Sequence, residues 1–206
     1  KAGDLAHGLK NPLAVLAQEA DRAEAAGEHE TAAIITQQVE RMRRQVDYHL
    51  AHARAATSGN LPGARCPVLP AVEGLTRTMK RIYSTRGLAI QVDVSPAHFI
   101  QGRREDLEEM LGNLLDNACK WAKSTVKIQS VQENGAVVLT VDDDGPGIAP
   151  NMRDVVLQRG VRADEAAPGS GLGLAIVSDL VELYKGTISL EDSPMGGLRA
   201  RLRLPA

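Results

Sequence analysis

Two carboxamides and an ammonium recur on one helical face. Asn113, Asn117 and Lys120 stand at i, i+4 and i+7 within and just after the apolar run Leu107–Ala118. Met110, Leu111, Leu114, Leu115 and Ala118 form the apolar side of the same helix. A buried core has no use for such a polar stripe, because amides taken out of water must find partners. A magnesium-bound polyphosphate would supply them, taking neutral oxygens from the two Asn and a cation from Lys120. A helix face turned to solvent accounts for this segment equally well.

Downstream, Val141-Asp142-Asp143-Asp144-Gly145-Pro146-Gly147-Ile148 places a carboxylate at a strand end, followed by glycines. Asp143, two before Gly145, can accept from an exocyclic amine while the backbone at Gly145 and Gly147 passes close to a flat ring. An acidic turn is the commoner meaning of Asp-Gly and Pro-Gly pairs on their own. Then comes Pro168-Gly169-Ser170-Gly171-Leu172-Gly173, leading into an apolar helical stretch. Glycines before a helix N-terminus let backbone N–H groups approach phosphate oxygens. No Gly-Lys-Ser/Thr follows and no βαβ unit opens there, so neither a Walker A loop nor a dinucleotide fingerprint is present. Arg153, Arg159 and Arg162 precede it as candidates for phosphates or for plain solvent exposure.

Near the start, His7 opens His7-Gly8-Leu9-Lys10-Asn11-Pro12-Leu13. At ~100° per residue it lies roughly 150° from the apolar seam Leu9, Leu13, Leu16, Ala20, which predicts an exposed imidazole. Asn11 shares its face, and Pro12 cannot donate to the Gly8 carbonyl, which predicts a bend.

The elements that must position these residues fall into two groups. Residues 4–56 read as an antiparallel helical hairpin interrupted at Gly27-Glu28-His29, with Ile35, Val39, Met42, Val46, Leu50 and Ala53 continuing the seam. Two helices bury a stripe poorly, so a second copy completing a four-helix bundle is expected. Residues 57–63 read as a linker. Beyond it the pattern predicts a helix at 70–86, strands at 88–94 and 98–102, and the Asn-bearing helix at 103–122. Strands at 125–132 and 136–142 follow, turned at Asn134-Gly135, then a loop at 143–170. A helix near 173–185 ended by Gly186 precedes strands at 187–191 and 198–204. The mixture favours an α+β sandwich with a mostly antiparallel sheet. The domains are then 1–60 and 61–206.

The chain has 206 residues, a net charge of −2 and 2% aromatics, which speaks against a nucleic-acid-binding surface. Its two cysteines, Cys66 and Cys119, show no metal-ligand spacing and fit a reducing compartment. No stretch is apolar enough to span a bilayer. The chain opens at Lys1, close to His7, and reads as an excised fragment with room for an upstream membrane segment.

Asn113…Asn117…Lys120, Asp143-Asp144-Gly145-Pro146-Gly147 and Gly169-Ser170-Gly171-Leu172-Gly173 follow in order. Together they resemble the N, G1 and G2 boxes of the ATP-binding domain shared by histidine kinases, gyrase, Hsp90 and MutL. The resemblance implies Asn117 and Asn113 on Mg²⁺, and Lys120, Arg159 and Arg162 on phosphates. It also implies Asp143 on adenine, Trp121 packed near the nucleotide, and a mobile lid at about 149–170. The lid's usual Phe motif is replaced by Asp154-Val155-Val156-Leu157-Gln158-Arg159-Gly160. The segment at His7 resembles the H box of sensor histidine kinases, which implies a phosphoacceptor His7. Gly8 stands where many members have an acid. The small Gly8, the Lys10-Asn11-Pro12 that follows and Arg159-Gly160-Val161-Arg162 resemble the PhoQ-like branch. The resemblance also implies that Asn11 stands where the family places an amide or hydroxyl to orient a water for dephosphorylating the partner regulator.

These resemblances imply ATP and Mg²⁺, a homodimer, a response regulator receiver domain as partner, and the cytoplasmic part of a bacterial inner-membrane sensor. Alternatives are an ATP hydrolase of the same fold, a regulator phosphatase with weak kinase activity, and a non-catalytic assembly module. The hydrolases carry Glu four residues before the metal-binding Asn. Here that position is Asn113, and an amide is a poor general base; Glu109 lies one turn further back.

Overall fold

The computed structural model describes residues 2–39, 42, 65–158 and 173–206, with side chains from residue 12 onward. The chain divides into two compact units, Lys1–Gly59 and Asn60–Ala206.

In the first unit, α1 spans Ala2–Ala25 and α2 runs over residues 29–39. Gly27, at φ +85, makes the turn between them. Pro12 lies inside α1, and helix continues on both sides of it. Leu13, Ala20, Ala32 and Val39 are buried, whereas Val15 and Ile34 are 57% and 54% exposed, and Leu16 and Met42 are also exposed. The predicted seam is therefore only partly covered within one chain. Its members Val46, Leu50 and Ala53 lie outside the described residues, as does the side chain of Leu9.

The second unit is built on a five-stranded sheet of order β2-β4-β5-β7-β6, with β2 at Ala89–Asp93, β4 at Thr125–Glu133, β5 at Ala136–Asp143, β6 at Thr187–Asp192 and β7 at Leu198–Pro205. β2 pairs parallel with β4 and the other pairings are antiparallel. The last-numbered strand therefore lies inside the sheet, between β5 and β6. A small second sheet pairs β1, Arg65–Pro67, with β3, Phe99–Gln101. The helices are α3 at Val68–Ile82, α4 at Arg104–Trp121, α5 at Pro150–Val156 and α6 at Gly173–Leu183.

Alternation along β7 explains the layering. Leu198, Ala200, Leu202 and Leu204 are buried, while Arg199, Arg201 and Arg203 point to the other face. The apolar face packs under the helices, where Leu107, Met110, Leu111, Leu114, Leu115 and Cys119 of α4 meet Ile176, Val177 and Leu180 of α6 and Val68 and Val72 of α3. On the opposite face Arg199 closes a two-bond pair with the buried Asp142, at 2.8 and 3.0 Å.

The architecture is the expected α+β sandwich. Three local differences have physical causes. Residues 65–67 form a strand too short, and too close to proline, to leave a periodic signal. Pro150 at the first turn starts a helix, α5, within what composition reads as loop. At the end of α6 the left-handed residue is Lys185, φ +53, rather than Gly186. Gly186 N–H closes back on the Val181 carbonyl, and Gly186 is required because a Cβ there would lie 2.3 Å from the Arg203 carbonyl oxygen.

Candidate nucleotide site

α4 lies over the interior strands β4 and β5 and carries the amide stripe toward the end of β5, and tertiary hydrogen bonds pin its two ends. At the N-terminal end Tyr184 donates its hydroxyl to Asp106 and accepts from the Arg103 N–H. Asn113 donates its side-chain N–H to the Glu109 carbonyl at 2.8 Å, which turns its oxygen away from its own helix. That oxygen meets the start of α6: a Cβ on Gly173 would lie 3.1 Å from Asn113 Oδ1. The first and third candidate segments thus converge. Asn117, one turn on, is half-buried, and among the described residues no protein group hydrogen-bonds its carboxamide. Lys120 Nζ lies 5.5 Å from the Trp121 ring centroid.

The second segment joins at the end of the same helix. A Cβ on Gly145 would lie 2.5 Å from the Trp121 carbonyl oxygen, so the backbone after β5 passes directly under the last turn of α4. Asp143 is 3% exposed. Its Oδ1 accepts from Gly145 N–H at 2.8 Å and from Leu198 N–H at 3.2 Å. Burial pushes this carboxyl above the ordinary carboxylate value, the two backbone hydrogen bonds oppose the rise, and the neighbouring Asp144 and Asp142 charges add to it. Among the described residues no hydrogen bond falls on Oδ2.

Asp144 does different work. Its carboxylate accepts from the backbone N–H of Lys123, Ser124 and Thr125 and from the Ser124 hydroxyl. Partial burial pulls its proton affinity up, but these hydrogen bonds outweigh it and hold the carboxyl far below its usual range. Asp144 therefore ties the loop after α4 to the end of β5.

Sequence reasoning passed over two contributors. Gly197, read only as part of a turn, abuts the Asp143 carboxylate so closely that a Cβ would lie 2.2 Å from Oδ1. Paired glycines beside a strand signal such an approach. Asp144 was hidden inside an acidic run whose members look alike in sequence. Arg153, a candidate for phosphates or for plain solvent exposure, donates to the Ile148 carbonyl at 3.0 Å and to Asp192 at 2.5 Å, because α5 lays it against the end of β6. Arg159, Arg162, Gly169, Gly171 and Leu172 lie outside the described residues, as do the side chains of His7, Lys10 and Asn11.

The residues present fit a nucleotide with a bound divalent cation. Neutral amide oxygens, a cation, a carboxylate with one oxygen uncommitted and a glycine-started helix lie along α4 and past the end of β5. This defines the class, an ATP-binding domain with helices on one face of a mixed sheet. The chain belongs to the histidine kinase-, DNA gyrase B- and HSP90-like ATPase family, whose model matches residues 102–206.

The chain is 45% identical over 203 residues to the sensor protein kinase CarS of Pseudomonas aeruginosa, covering 98% of this chain and 45% of that protein. It is 40% identical to the two-component sensor PhoQ of the same organism, with the same coverages. It thus spans a little under half the length of these curated relatives. Among solved structures, full-length ShkA in complex with AMPPNP aligns with a TM-score of 0.68 at 26% identity, over 99% of this chain and 45% of that one.

Proposed function

We propose that this chain is the catalytic core of a two-component sensor histidine kinase. Mg-ATP phosphorylates His7, and the phosphoryl group passes to an aspartate of a response regulator receiver domain. The observation that carries the reading is the meeting of Asn113 with Gly173 and of Trp121 with Gly145. Those approaches support reading the two amides, the Lys120 ammonium and the Asp143 carboxylate as one site. In the transfer, a ring nitrogen of His7 bonds to the γ-phosphorus, the bond to the bridging oxygen breaks, ADP leaves and the imidazole proton passes to solvent. Near neutral pH an unperturbed imidazole is mostly uncharged and able to attack.

Asn117, supported by the Asn113 oxygen, would hold Mg²⁺, which neutralises phosphate charge when bound. Lys120, Arg159 and Arg162 would balance the remaining negative charge, so that positioning and charge neutralisation drive transfer. The uncommitted Oδ2 of Asp143 would accept from the adenine amine. The backbone N–H groups at Gly169, Gly171, Leu172 and Gly173 would approach the phosphates. Asn113 where a hydrolase needs a carboxylate base favours transfer to His7 over transfer to water.

The deciding experiment is labelling with [γ-³²P]ATP and Mg²⁺. Wild type should gain acid-labile label, and His7→Ala and Asn117→Ala should gain none. An ATPase rate that survives His7→Ala would favour the hydrolase, and label absent from wild type would favour an assembly module. Asn11→Ala should spare His7 labelling and abolish regulator dephosphorylation. We further propose that the working unit is a homodimer through the hairpin, belonging to the cytoplasmic side of a membrane sensor.

A further inference from the structure

We infer that Arg86 is a positioning residue for Lys120, acting through the carbonyls that end α4. The inference rests on the nucleotide reading of the site. α4 stops at Trp121, and Ala122 leaves the helix at φ −52, ψ 145. Its final carbonyls are therefore left without intrahelical donors at the point where Lys120 and Trp121 must be held.

Arg86 supplies the missing donors. One terminal nitrogen of its guanidinium donates to the carbonyls of Cys119, at 2.7 Å, and Lys120, at 2.5 Å; the other donates to Ala122 at 2.7 Å. A rigid fork that satisfies three carbonyls at once fixes the direction of the turn. Its charge also suits the negative end of the helix.

The residue reaches this place through the turn after α3, a 3-10 segment at Ser84–Arg86 ended by the left-handed Gly87. The same turn carries Tyr83, whose hydroxyl donates to Asp116 Oδ1 at 2.8 Å, one residue before Asn117. Two side chains from one short segment thus grip the last two turns of the helix that bears Asn117 and Lys120. Neither belongs to any of the glycine or asparagine boxes. Neither is needed to bury the core, since Tyr83 is only half-buried and no residue of the 3-10 turn is buried. What the grip fixes is the backbone from which Lys120 projects, and with it the Trp121 carbonyl over Gly145.

The test is ADP affinity of the full chain by titration calorimetry, with thermal unfolding measured alongside. Arg86→Ala should weaken ADP about tenfold. Arg86→Lys, a point charge unable to serve three carbonyls, should fall between the two. Tyr83→Phe should cost about threefold. In a Lys120→Ala background Arg86→Ala should add less than about twofold, a coupling that a general loss of stability would not produce. If Arg86→Ala fails to fold, the Lys and Phe variants carry the test in the same two backgrounds. Wild-type affinity in Arg86→Ala, or an undiminished effect in the Lys120→Ala background, would overturn the role of Arg86 alone. Wild type that binds no ADP would overturn the nucleotide reading and this inference together.

Discussion

A carboxylate's neighbours decide what it does, and Asp142, Asp143 and Asp144 make the point within three positions. The first is neutralised by Arg199, the second is buried with one oxygen held by backbone, and the third is wrapped by a loop. In sequence they differ only by position; Asp143 stands out through its spacing to Gly145, whereas nothing in the pattern marks the loop-tying role of Asp144. Asp144 makes a prediction with a definite sign. Its folded-state proton affinity is depressed from an ordinary 3.8. The unfolded chain thus binds more protons between the two values, and the contribution is full above that value and lost as pH falls below it. Asp144→Asn should lose about 1–3 kcal/mol at pH 7, and chemical denaturation should find its stability falling less steeply than that of wild type below pH 3.8. A second prediction concerns Gly197. Alanine there collides with the Asp143 carboxylate and with the Gly145 nitrogen. It should cost about 1–3 kcal/mol and weaken ADP binding, read from the fluorescence of Trp121, the only tryptophan in the sequence.

Helices and strands with strong periodicity were legible almost to their ends, α4 and the β4–β5 hairpin above all. Asn134 and Gly135 both adopt positive φ, +48 and +72, which the Asn-Gly pair announces. What escaped were elements specified by contacts instead of pattern: the three-residue β1, the proline-started α5, and the cap of α6. At that cap the turn needs a left-handed residue followed by one without a side chain. The single glycine available meets the second demand at Gly186, leaving Lys185 to bear the strain. Lys185→Gly should therefore stabilise the domain by about 0.5–1 kcal/mol, visible as a higher thermal midpoint, with nucleotide affinity unchanged.

Over the whole molecule, the hairpin leaves Val15, Leu16, Ile34 and Met42 exposed. Single apolar residues on a surface need no partner, but four along one short hairpin suit a second copy. Leu16→Glu combined with Ile34→Glu should weaken self-association at least about tenfold, from the loss of buried side chains worth ~1.5–3 kcal/mol each. Light scattering would report the change in mass, and labelling of His7 should fall while ADP binding by residues 60–206 persists. An unchanged dimer would place the interface elsewhere.

The position of β7 between β5 and β6 bears on how this chain is made. A ribosome delivers strands in order, and here the one delivered after all the others of the sheet is an interior one. Until residues 198–205 emerge, β5 and β6 each present an open edge, and the Leu198 N–H that braces Asp143 does not yet exist. The nascent domain should need shelter against strand pairing with its neighbours until synthesis passes β7. Nucleotide competence should arrive in one step, with that strand.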